Sequence, residues 1–173
     1  MVHSIALSGR RGAGLFALID DTDAPLVQGW RWYYRTSPGG TQAHVQGCLP
    51  GSKQWVYLHT LLTGWERVDH VDGDGLNCQR YNMREATPGQ NMANSRKRAI
   101  ASSRFKGVSW NQDRKRWDAR IRVDRRNRFL GRFRDEVEAA RAYDRASLES
   151  WGQDLQGRPY ARTNVMLGLL PPL

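Results

Sequence analysis

The sequence predicts an α+β protein, with a small β-rich first part and a second part of three strands and one helix. Two observations predict this fold class. Short runs of apolar and aromatic residues, several with the period of two that is typical of half-buried strands, occupy the first third of the chain and return between residues 106 and 133. Between residues 135 and 150, apolar residues recur instead at helical spacing.

Turn-forming residues divide the first third of the chain into four expected strands. We expect the strands over residues 15–19, 30–35, 42–49 and 54–58, with turns at 20–23, 37–40 and 50–52. Trp30, Trp32 and Tyr34 fall on one face at period two, as do Trp55 and Tyr57. We expect these rings to form a packed β core, with stacking against nucleic-acid bases as the alternative.

The middle of the chain has the order strand, loop, strand and helix. Residues 59–64 suggest a short helical turn or strand end closed by Gly64, and strands are expected over 67–71 and 82–86, on either side of a polar loop at 72–75. Thr87 and Pro88 offer the N-cap and the first position of a helix that runs to about residue 98. Residues 99–104 are small and polar, which predicts a linker.

Three further strands and a helix are expected beyond the linker. The strands cover residues 106–110, 117–123 and 127–133, and Asp135 or a neighbour caps a helix through Ser150 that Gly152 ends. We expect this module to span residues 105–164. The remaining apolar tail, residues 165–173, could pack on either module or be loose.

The positive charge is confined to the second half of the chain. The formal net charge is +10, yet residues 1–94 carry eight basic and eight acidic side chains, whereas residues 96–134 carry fifteen basic and three acidic ones. Phe105, Trp110, Trp117 and Phe129 are interleaved with these basic residues. The pattern predicts a polyanionic partner, with nucleic acid ahead of an anionic membrane surface. The run Arg96, Lys97 and Arg98 at its start is either a solvated face or part of the contact with DNA.

Cysteine content and hydropathy exclude several classes of protein. Cys48 and Cys78 are far apart in the chain and form no CxxC pair, so neither a disulfide framework nor a four-cysteine zinc site can be built from them. No run approaches the roughly 18 apolar residues of a membrane span, and the start of the chain does not resemble a secretory signal. We therefore expect free thiols in a reducing compartment, a cytoplasmic location and no membrane partner.

Metal-capable and proton-accepting side chains concentrate between residues 69 and 91. Asp69 and His70 are adjacent, and Asn82 and Asn91 follow them within this stretch. Phosphodiester hydrolysis needs a hard cation held by oxygen ligands and a base of near-neutral pKa that activates water. Asp69 and Asn91 supply oxygens, and His70 supplies the base. Because neighbours on a strand point to opposite faces, Asp69 and His70 can act together only across a bend or around a strand end.

These residues carry a resemblance to a known family. His59, the sequence VDHVDGDG from Val68, RYNMR from Arg80 and the pair Gln90 and Asn91 resemble the HNH endonucleases with their ββα-metal fold, in the variant whose last histidine is asparagine. The resemblance covers about residues 17–98. It implies a nuclease module over residues 1–98 with a ββα-metal core at about 57–98.

The resemblance also implies roles for the individual side chains. Asp69 and Asn91 would hold one divalent ion, Mg²⁺ ahead of Mn²⁺, and His70 would be the general base. Asn82 would orient His70 through a hydrogen bond in the loop. His59 matches a histidine often found upstream in phage members of the family, and we include it among the candidate catalytic residues.

Two rival interpretations of the same residues are weaker. Asp72, Asp74 and Asn77 partly match a calcium-binding loop, but the spacing to an acidic closing ligand fails. Asp69 and His70 could form a structural salt pair, which would be the better interpretation if Asn82 and Asn91 were absent. The four residues together favour catalysis.

The basic module resembles a second family. Over residues 104–164, the sequences FKGVSW from Phe105, RWDARI from Arg116, LGRF from Leu130 and EAARAYD from Glu138 are similar to the plant ethylene-response-factor type of DNA-binding domain, which also occurs fused to phage HNH enzymes. The resemblance implies a three-stranded antiparallel sheet that packs on one helix and enters the DNA major groove.

By position, this second resemblance implies a set of DNA contacts. The expected contacts from the exposed face of the sheet are Trp110, Arg116, Trp117, Arg120 and Arg122. Arg114 and Lys115 are expected at phosphates, and Trp117 could instead belong to the core.

Together the two resemblances predict a sequence-guided, metal-dependent DNA endonuclease of homing or phage type. We expect double-stranded DNA as its partner, no small-molecule cofactor, and a monomer ahead of an oligomer. A DNA-binding regulator with an inert nuclease remnant is the competing class.

Overall fold

The computed structural model describes residues 1–36, 42–95 and 102–172. The chain divides into two compact units, Met1–Thr87 and Pro88–Leu173. Both units mix α and β structure, and the strands pair in small antiparallel sheets, as the sequence predicts. The turn expected at 37–40 and the basic residues Arg96, Lys97 and Arg98 lie outside the described residues.

The first unit contains seven strands and two short helices among its described residues. In chain order its elements are β1 (Val2–Ala6), β2 (Phe16–Asp20), a 3-10 turn (Asp21–Asp23), α1 (Ala24–Val27), β3 (Arg31–Thr36), β4 (Ala43–Cys48), β5 (Val56–Tyr57), α2 (Leu58–Thr63), β6 (Val68–His70), a second 3-10 turn (Arg80–Asn82) and β7 (Met83–Glu85). The sequence analysis missed β1, none of whose residues is buried and whose apolar pattern is therefore weak. The other strands lie within three residues of their expected bounds, and the helix expected before Gly64 is present as α2.

The core of the first unit lies on one face of the sheet that orders β3, β4 and β5. Trp32 pairs with Gly47 and Tyr34 with Val45 across β3 and β4. Trp32 and Val45 are buried, and Trp30 and Tyr34 pack against the same core. The expectation of a packed core is therefore confirmed for the three aromatic residues of β3 and its start.

The same expectation is wrong for Trp55 and Tyr57, which are 45% and 41% exposed. In β5, Val56 pairs with Gly47 on the core face, and Tyr57 pairs with Gln46 on the outer face. The alternation correctly groups Trp55 with Tyr57. It cannot say which face of the sheet the pair occupies, because that depends on how β5 pairs with β4.

The second unit is a three-stranded antiparallel sheet with a helix packed across it. Its elements are α3 (Pro88–Ala93), β8 (Val108–Asn111), β9 (Arg116–Val123), β10 (Arg126–Phe133) and α4 (Glu136–Trp151), with the strand order β10, β9, β8. Asp135 caps α4 by accepting a hydrogen bond from the main-chain N–H of Glu138, as expected. The core contains Phe105, Val108 and Ala119 from the sheet side and two alanines of α4.

The apolar tail belongs to the second unit. Leu170 is buried in its core, and Val165 and Leu169 pack against it. The fully buried Asn164 precedes the tail, and its main-chain N–H and side-chain amide both donate to Asp144 of α4 at 2.8 Å. The tail is therefore anchored on the helix that it follows.

The boundary between the units precedes α3. The buried Lys106 ammonium donates to the carbonyls of Ala93 at 2.6 Å and Ser95 at 2.8 Å, and the main-chain N–H of Arg162 also donates to Ala93. Residues 88–95 thus belong to the second unit, whereas the sequence predicts a nuclease module that includes residues 88–98. That module assignment stays a prediction.

Among residues 1–36, 42–95 and 102–172, no helix combines the length and the apolar composition needed to span a bilayer.

Candidate active site and nucleic-acid interface

His70 is the last residue of β6 and lies in a largely buried environment. Its ring meets the ring of His59 edge to face, with centroids 5.4 Å apart, and its Nε2 lies 3.7 Å from Sγ of Cys78. Burial lowers the pKa of His70, and the nearby Asp72 and Asp74 offset part of that effect. The imidazole is therefore neutral near pH 7 and can accept a proton.

Cys78 presents a neutral thiol to His70. The side chain is buried, and burial raises its pKa to about 12, with Asp74 and Asp72 adding to the shift. The Sγ atom also lies 3.7 Å from the carbonyl oxygen of Gly75. No thiolate competes with His70 for protons in this environment.

Asp69 is held by a buried ion pair. Across the β6–β7 hairpin it pairs directly with Arg84, and two guanidinium nitrogens reach its Oδ2 at 2.8 and 2.9 Å. Both side chains are at most 4% exposed. Since residues alternate along a strand, Asp69 and His70 leave opposite faces of β6. The strand ends at His70, one residue before its expected bound, so a strand end is present at the position where the two side chains would need one to act together.

Asn82 fixes the loop that follows His70. Its Oδ1 accepts a hydrogen bond from the main-chain N–H of Asp72 at 3.0 Å, and its Nδ2 donates to Oδ1 of Asp72 at 2.9 Å and to the carbonyl of Asn77 at 2.8 Å. The carbonyl of Asn82 also accepts from the N–H of Val71 at 2.8 Å. One buried side chain therefore holds both ends of the loop.

The acidic residues of this loop accept hydrogen bonds from other residues of the same loop. Asp72 accepts from the main-chain N–H of Asp74 at 2.7 Å and from the side-chain amide of Asn77 at 2.8 Å. Asp74 accepts from the N–H of Leu76 at 3.0 Å. These contacts favour a self-supporting turn over the calcium loop considered above. In the described part of the chain, no three His, Cys, Asp or Glu side chains cluster as a metal site.

Residues from the start of the chain hold the far end of the loop. The main-chain N–H of Leu18 donates to the carbonyl of Leu76, and the carbonyl of Leu18 accepts from Cys78, both at 2.8 Å. Asp23 forms a bidentate ion pair with Arg80, and Asp20 accepts from the N–H of Arg80 at 2.8 Å. The loop is thus fixed by strand β2 and by the 3-10 turn that follows it.

His59 connects His70 to two further rings. It stacks on Tyr57 with centroids 5.1 Å apart and an interplanar angle of 6°, and Tyr57 meets His44 edge to face at 5.1 Å. Burial lowers the pKa of His59 to about 3, and His70 and His44 add to the shift. Nδ1 of His59 is buried and has no hydrogen-bond partner among the described residues. The sequence analysis included His59 as a candidate but did not anticipate this ring cluster.

The hairpin β6–β7 and its loop therefore bring together Asp69, His70 and Asn82, with His59 beside His70. Asn91, the other expected metal ligand, lies on α3 in the second unit. The sequence analysis did not single out Arg84 or Cys78. Arg84 could have been found only from the strand register, because a single-residue slip would move it away from Asp69.

The outer face of the second unit's sheet is basic. Arg116, Arg120 and Arg122 alternate along β9, and Arg120 and Arg122 are exposed. Between them lies the buried Asp118, which accepts from Arg132 at 2.6 Å and from Arg120 at 3.1 Å. The bonds from Arg132 are the main cause that lowers the pKa of Asp118, ahead of Asn111 and Arg120. This carboxylate holds two guanidinium groups in place on the face.

Trp110 and Trp117 lie on the opposite face, so the expectation that they share the exposed face with the arginines is wrong. They pair across β8 and β9, next to the core pair Val108 and Ala119, and their rings meet edge to face at 4.9 Å. Trp117 packs against the core. An odd-numbered position on β9 cannot share a face with residues 116, 120 and 122, because side chains alternate along a strand.

The two expected phosphate contacts lie in a turn, and two further residues of the basic face were not predicted. Arg114 and Lys115 are exposed in the turn between β8 and β9. Phe129, which is 54% exposed, pairs with Arg120, and the guanidinium carbons of Arg120 and Arg132 each lie 5.8 Å from its ring centroid. The register in which β9 pairs with β10 places Phe129 and Arg132 on the basic face. The sequence did not predict that register.

Two curated viral proteins are similar to the chain. The chain is 31% identical over 86 residues to Protein 3.8 of Escherichia phage T7, a match that covers 50% of this chain and 70% of the relative. It is 32% identical over 103 residues to a protein of Acanthamoeba polyphaga mimivirus described as an uncharacterized HNH endonuclease. That match covers 57% of this chain and 51% of the relative, so the chain spans about half of the mimivirus protein.

No protein-family model matches the chain, and no solved structure matches it with statistical significance. The relationship of the chain to known proteins therefore rests on the two matches to curated proteins. The chain belongs to the family of Protein 3.8 of phage T7, and its similarity to the mimivirus protein points to the HNH-type nucleases.

Proposed function

We propose that the chain is a phage-type, metal-dependent DNA endonuclease of the HNH class, with His70 as its general base. One observation carries the proposal: a neutral, largely buried imidazole ends β6 directly beside a loop fixed by Asn82, and the carboxylate of Asp69 stands on the same hairpin. The similarity to a viral HNH endonuclease supports the same chemistry.

The proposed metal is a hard divalent ion, Mg²⁺ ahead of Mn²⁺. Asp69 and Asn91 are its proposed ligands on the resemblance given above, since carboxylate and carboxamide oxygens are donors that such an ion prefers. Arg84 engages Asp69 through Oδ2 and holds the carboxylate in one orientation. When bound, a divalent ion supplies charge neutralisation at the scissile phosphate and the leaving oxygen.

The protein's own residues perform the proton transfer in this proposal. His70 takes a proton from the water that attacks phosphorus. The bond from phosphorus to the 3′ oxygen breaks, and that oxygen takes up a proton from solvent water, which leaves a 5′-phosphate and a 3′-hydroxyl. Asn82 acts as a positioning residue, because it holds the loop after His70. His59 limits the orientations of the His70 ring through their edge-to-face contact.

The second unit is proposed to hold the DNA. Its outer sheet face presents Arg116, Arg120 and Arg122, and an antiparallel ribbon of this kind fits the major groove of double-stranded DNA. Arg114 and Lys115, in the exposed turn, are proposed to contact phosphates. The ethylene-response-factor type of domain remains part of this proposal, on the motifs given above.

The test compares cleavage of a randomised DNA pool by the wild type with Mg²⁺, by the wild type with EDTA, and by His70→Ala. The matched control is His3→Ala, which removes an exposed histidine of the same unit. We expect cleavage with Mg²⁺ only, a loss of at least about 100-fold in His70→Ala, and no change in His3→Ala. Wild-type rates in His70→Ala would refute its role as the base. Selective binding without cleavage under any condition would indicate a DNA-binding regulator.

A further inference from the structure

The outer face of the sheet formed by β3, β4 and β5 carries exposed aromatic rings next to cations. Tyr33 pairs with Gln46, and Gln46 pairs with Tyr57, so these three side chains form one row across the strands. Trp55 lies against Tyr33 with centroids 5.3 Å apart, and the Arg35 guanidinium lies 5.1 Å from the Trp55 ring and 5.7 Å from the Tyr33 ring. We call Tyr33, Arg35, Trp55 and Tyr57 the ring platform.

The charged residues of the segment that contains the ring platform are all basic. Between Asp23 and Glu66 the sequence has no acidic residue, but it has Arg31, Arg35 and Lys53. Arg31 and Arg35 are on β3, at positions that share the outer face with Tyr33. Residues 1–94 are neutral overall, so this surface is a local positive region in an otherwise balanced unit.

The ring platform is continuous with the candidate active site. Tyr57 stacks on His59, and His59 meets His70, with centroid distances of 5.1 and 5.4 Å. A polymer bound at His70 and extending along the sheet would therefore meet Tyr57 next and then Tyr33 and Trp55. Trp55 and Tyr57 are 45% and 41% exposed, so their rings are accessible to such a polymer.

The chemistry of these side chains favours an unpaired strand over a duplex. Exposed flat rings on a sheet, with cations between them, are the arrangement on which unpaired bases stack while phosphates are neutralised. Paired bases in a duplex cannot offer their faces to such rings. We propose that the ring platform binds a single strand of DNA, with bases unpaired, that leads away from the phosphate at His70; this rests on the nuclease function proposed above.

The test measures binding without cleavage. A fluorescein-labelled single strand and its duplex are titrated with the full chain in EDTA, and anisotropy gives the Kd, at raised salt to weaken phosphate contacts of the basic second unit. Trp55→Ala removes the largest exposed ring, and Trp55→Phe keeps an aromatic surface. The control is Phe16→Ala, because Phe16 is 53% exposed on β2, in another sheet of the same unit.

We expect Trp55→Ala to weaken single-strand binding about 5- to 150-fold, with duplex binding changed less than about twofold. Trp55→Phe should retain most of the affinity, and Phe16→Ala should behave as wild type. Ultraviolet crosslinking to an iodouracil-containing strand should place crosslinks at Tyr33, Trp55 or Tyr57. Crosslinks confined to other residues, equal effects of Trp55→Ala and Phe16→Ala, or equal losses for strand and duplex would each overturn the proposal.

These outcomes are separable from failure of the nuclease proposal. Because the measurement is made in EDTA, loss of single-strand affinity in Trp55→Ala supports the platform whether or not the wild type cleaves DNA. Conversely, metal-dependent cleavage that requires His70, together with an unaffected Trp55→Ala, would refute the platform alone.

Discussion

Replacing Arg84 by methionine should unfold or strongly destabilise the first unit. Arg84 and Asp69 are 4% and 3% exposed, and the guanidinium supplies two contacts within 2.9 Å of Oδ2. Removing Arg84 deprives a buried carboxylate of its ion-pair partner, and breaking a buried ion pair in this way costs about 3–5 kcal/mol. A unit of this size loses several degrees of Tm per kcal/mol, so the change should be large.

A second ion pair in the same unit provides the control. Arg67 and Glu66 lie 3.3 Å apart but are 58% and 83% exposed, so Arg67→Met should cost less than about 1 kcal/mol. The measurement is urea unfolding of the full chain, followed by amide hydrogen exchange in the peptides that contain β6 and β7. Exchange resolves the local opening free energy of this hairpin from that of the second unit.

The double variant Asp69→Asn with Arg84→Met tests the stated cause. If the unpaired charge is responsible, removing the carboxylate as well should restore part of the lost free energy of unfolding. Equal costs for Arg84→Met and Arg67→Met, or a double variant no more stable than Arg84→Met, would refute the reasoning.

Two further predictions concern pH and backbone conformation. The pKa of His59 in the folded protein is about 3, below its ordinary 6.5, so below pH 6.5 the unfolded chain binds more protons than the folded one. The free energy of unfolding therefore keeps its full value above pH 6.5 and falls as the pH drops, by roughly 2–3 kcal/mol at about pH 4.5. Urea midpoints at both pH values should show a smaller loss in His59→Phe, and equal losses would contradict the assignment. Gly107→Ala should cost more than about 2 kcal/mol, since φ is +78° and an added Cβ would clash with the ring of Tyr143. Gly64→Ala, at φ +73° and ψ −4° with nothing within 4 Å of the added Cβ, measures the cost of a left-handed backbone in thermal unfolding, and equal Tm shifts would exclude the clash.

The sequence predicts best where the signals are local. The sheet and helix of the second unit follow from alternation, charged turns and the Asp135 cap, all within a few residues of each other. The short strand that contains His70 was also predicted to within one residue at each end. Such features depend on short-range sterics and hydrogen bonds that a single segment contains.

The features that sequence reasoning missed depend on pairing between distant segments. The β4–β5 register is needed to place Trp55 and Tyr57 on the outer face, and the β8–β9 register is needed to group Trp110 with Trp117. Alternation along β9 alone already separates Trp117 from Arg116, Arg120 and Arg122. The partner of Asp69 likewise follows from the pairing of residues 69 and 84. Alternation sorts side chains into two sets but does not say which set faces the core.

The anchoring of the site loop by the first strands has a consequence for folding. Asp20 and Asp23 bond Arg80 and Gln79 from 57 to 60 residues earlier in the chain, whereas the strands of the second unit pair with their immediate neighbours. Contacts of long sequence separation form slowly, because a large loop must close before they stabilise anything. On the ribosome, the loop beside His70 can therefore be completed only after residue 80 has emerged and returned to the early strands. The arrangement around His70 is therefore absent from nascent chains in which residue 80 has not yet emerged.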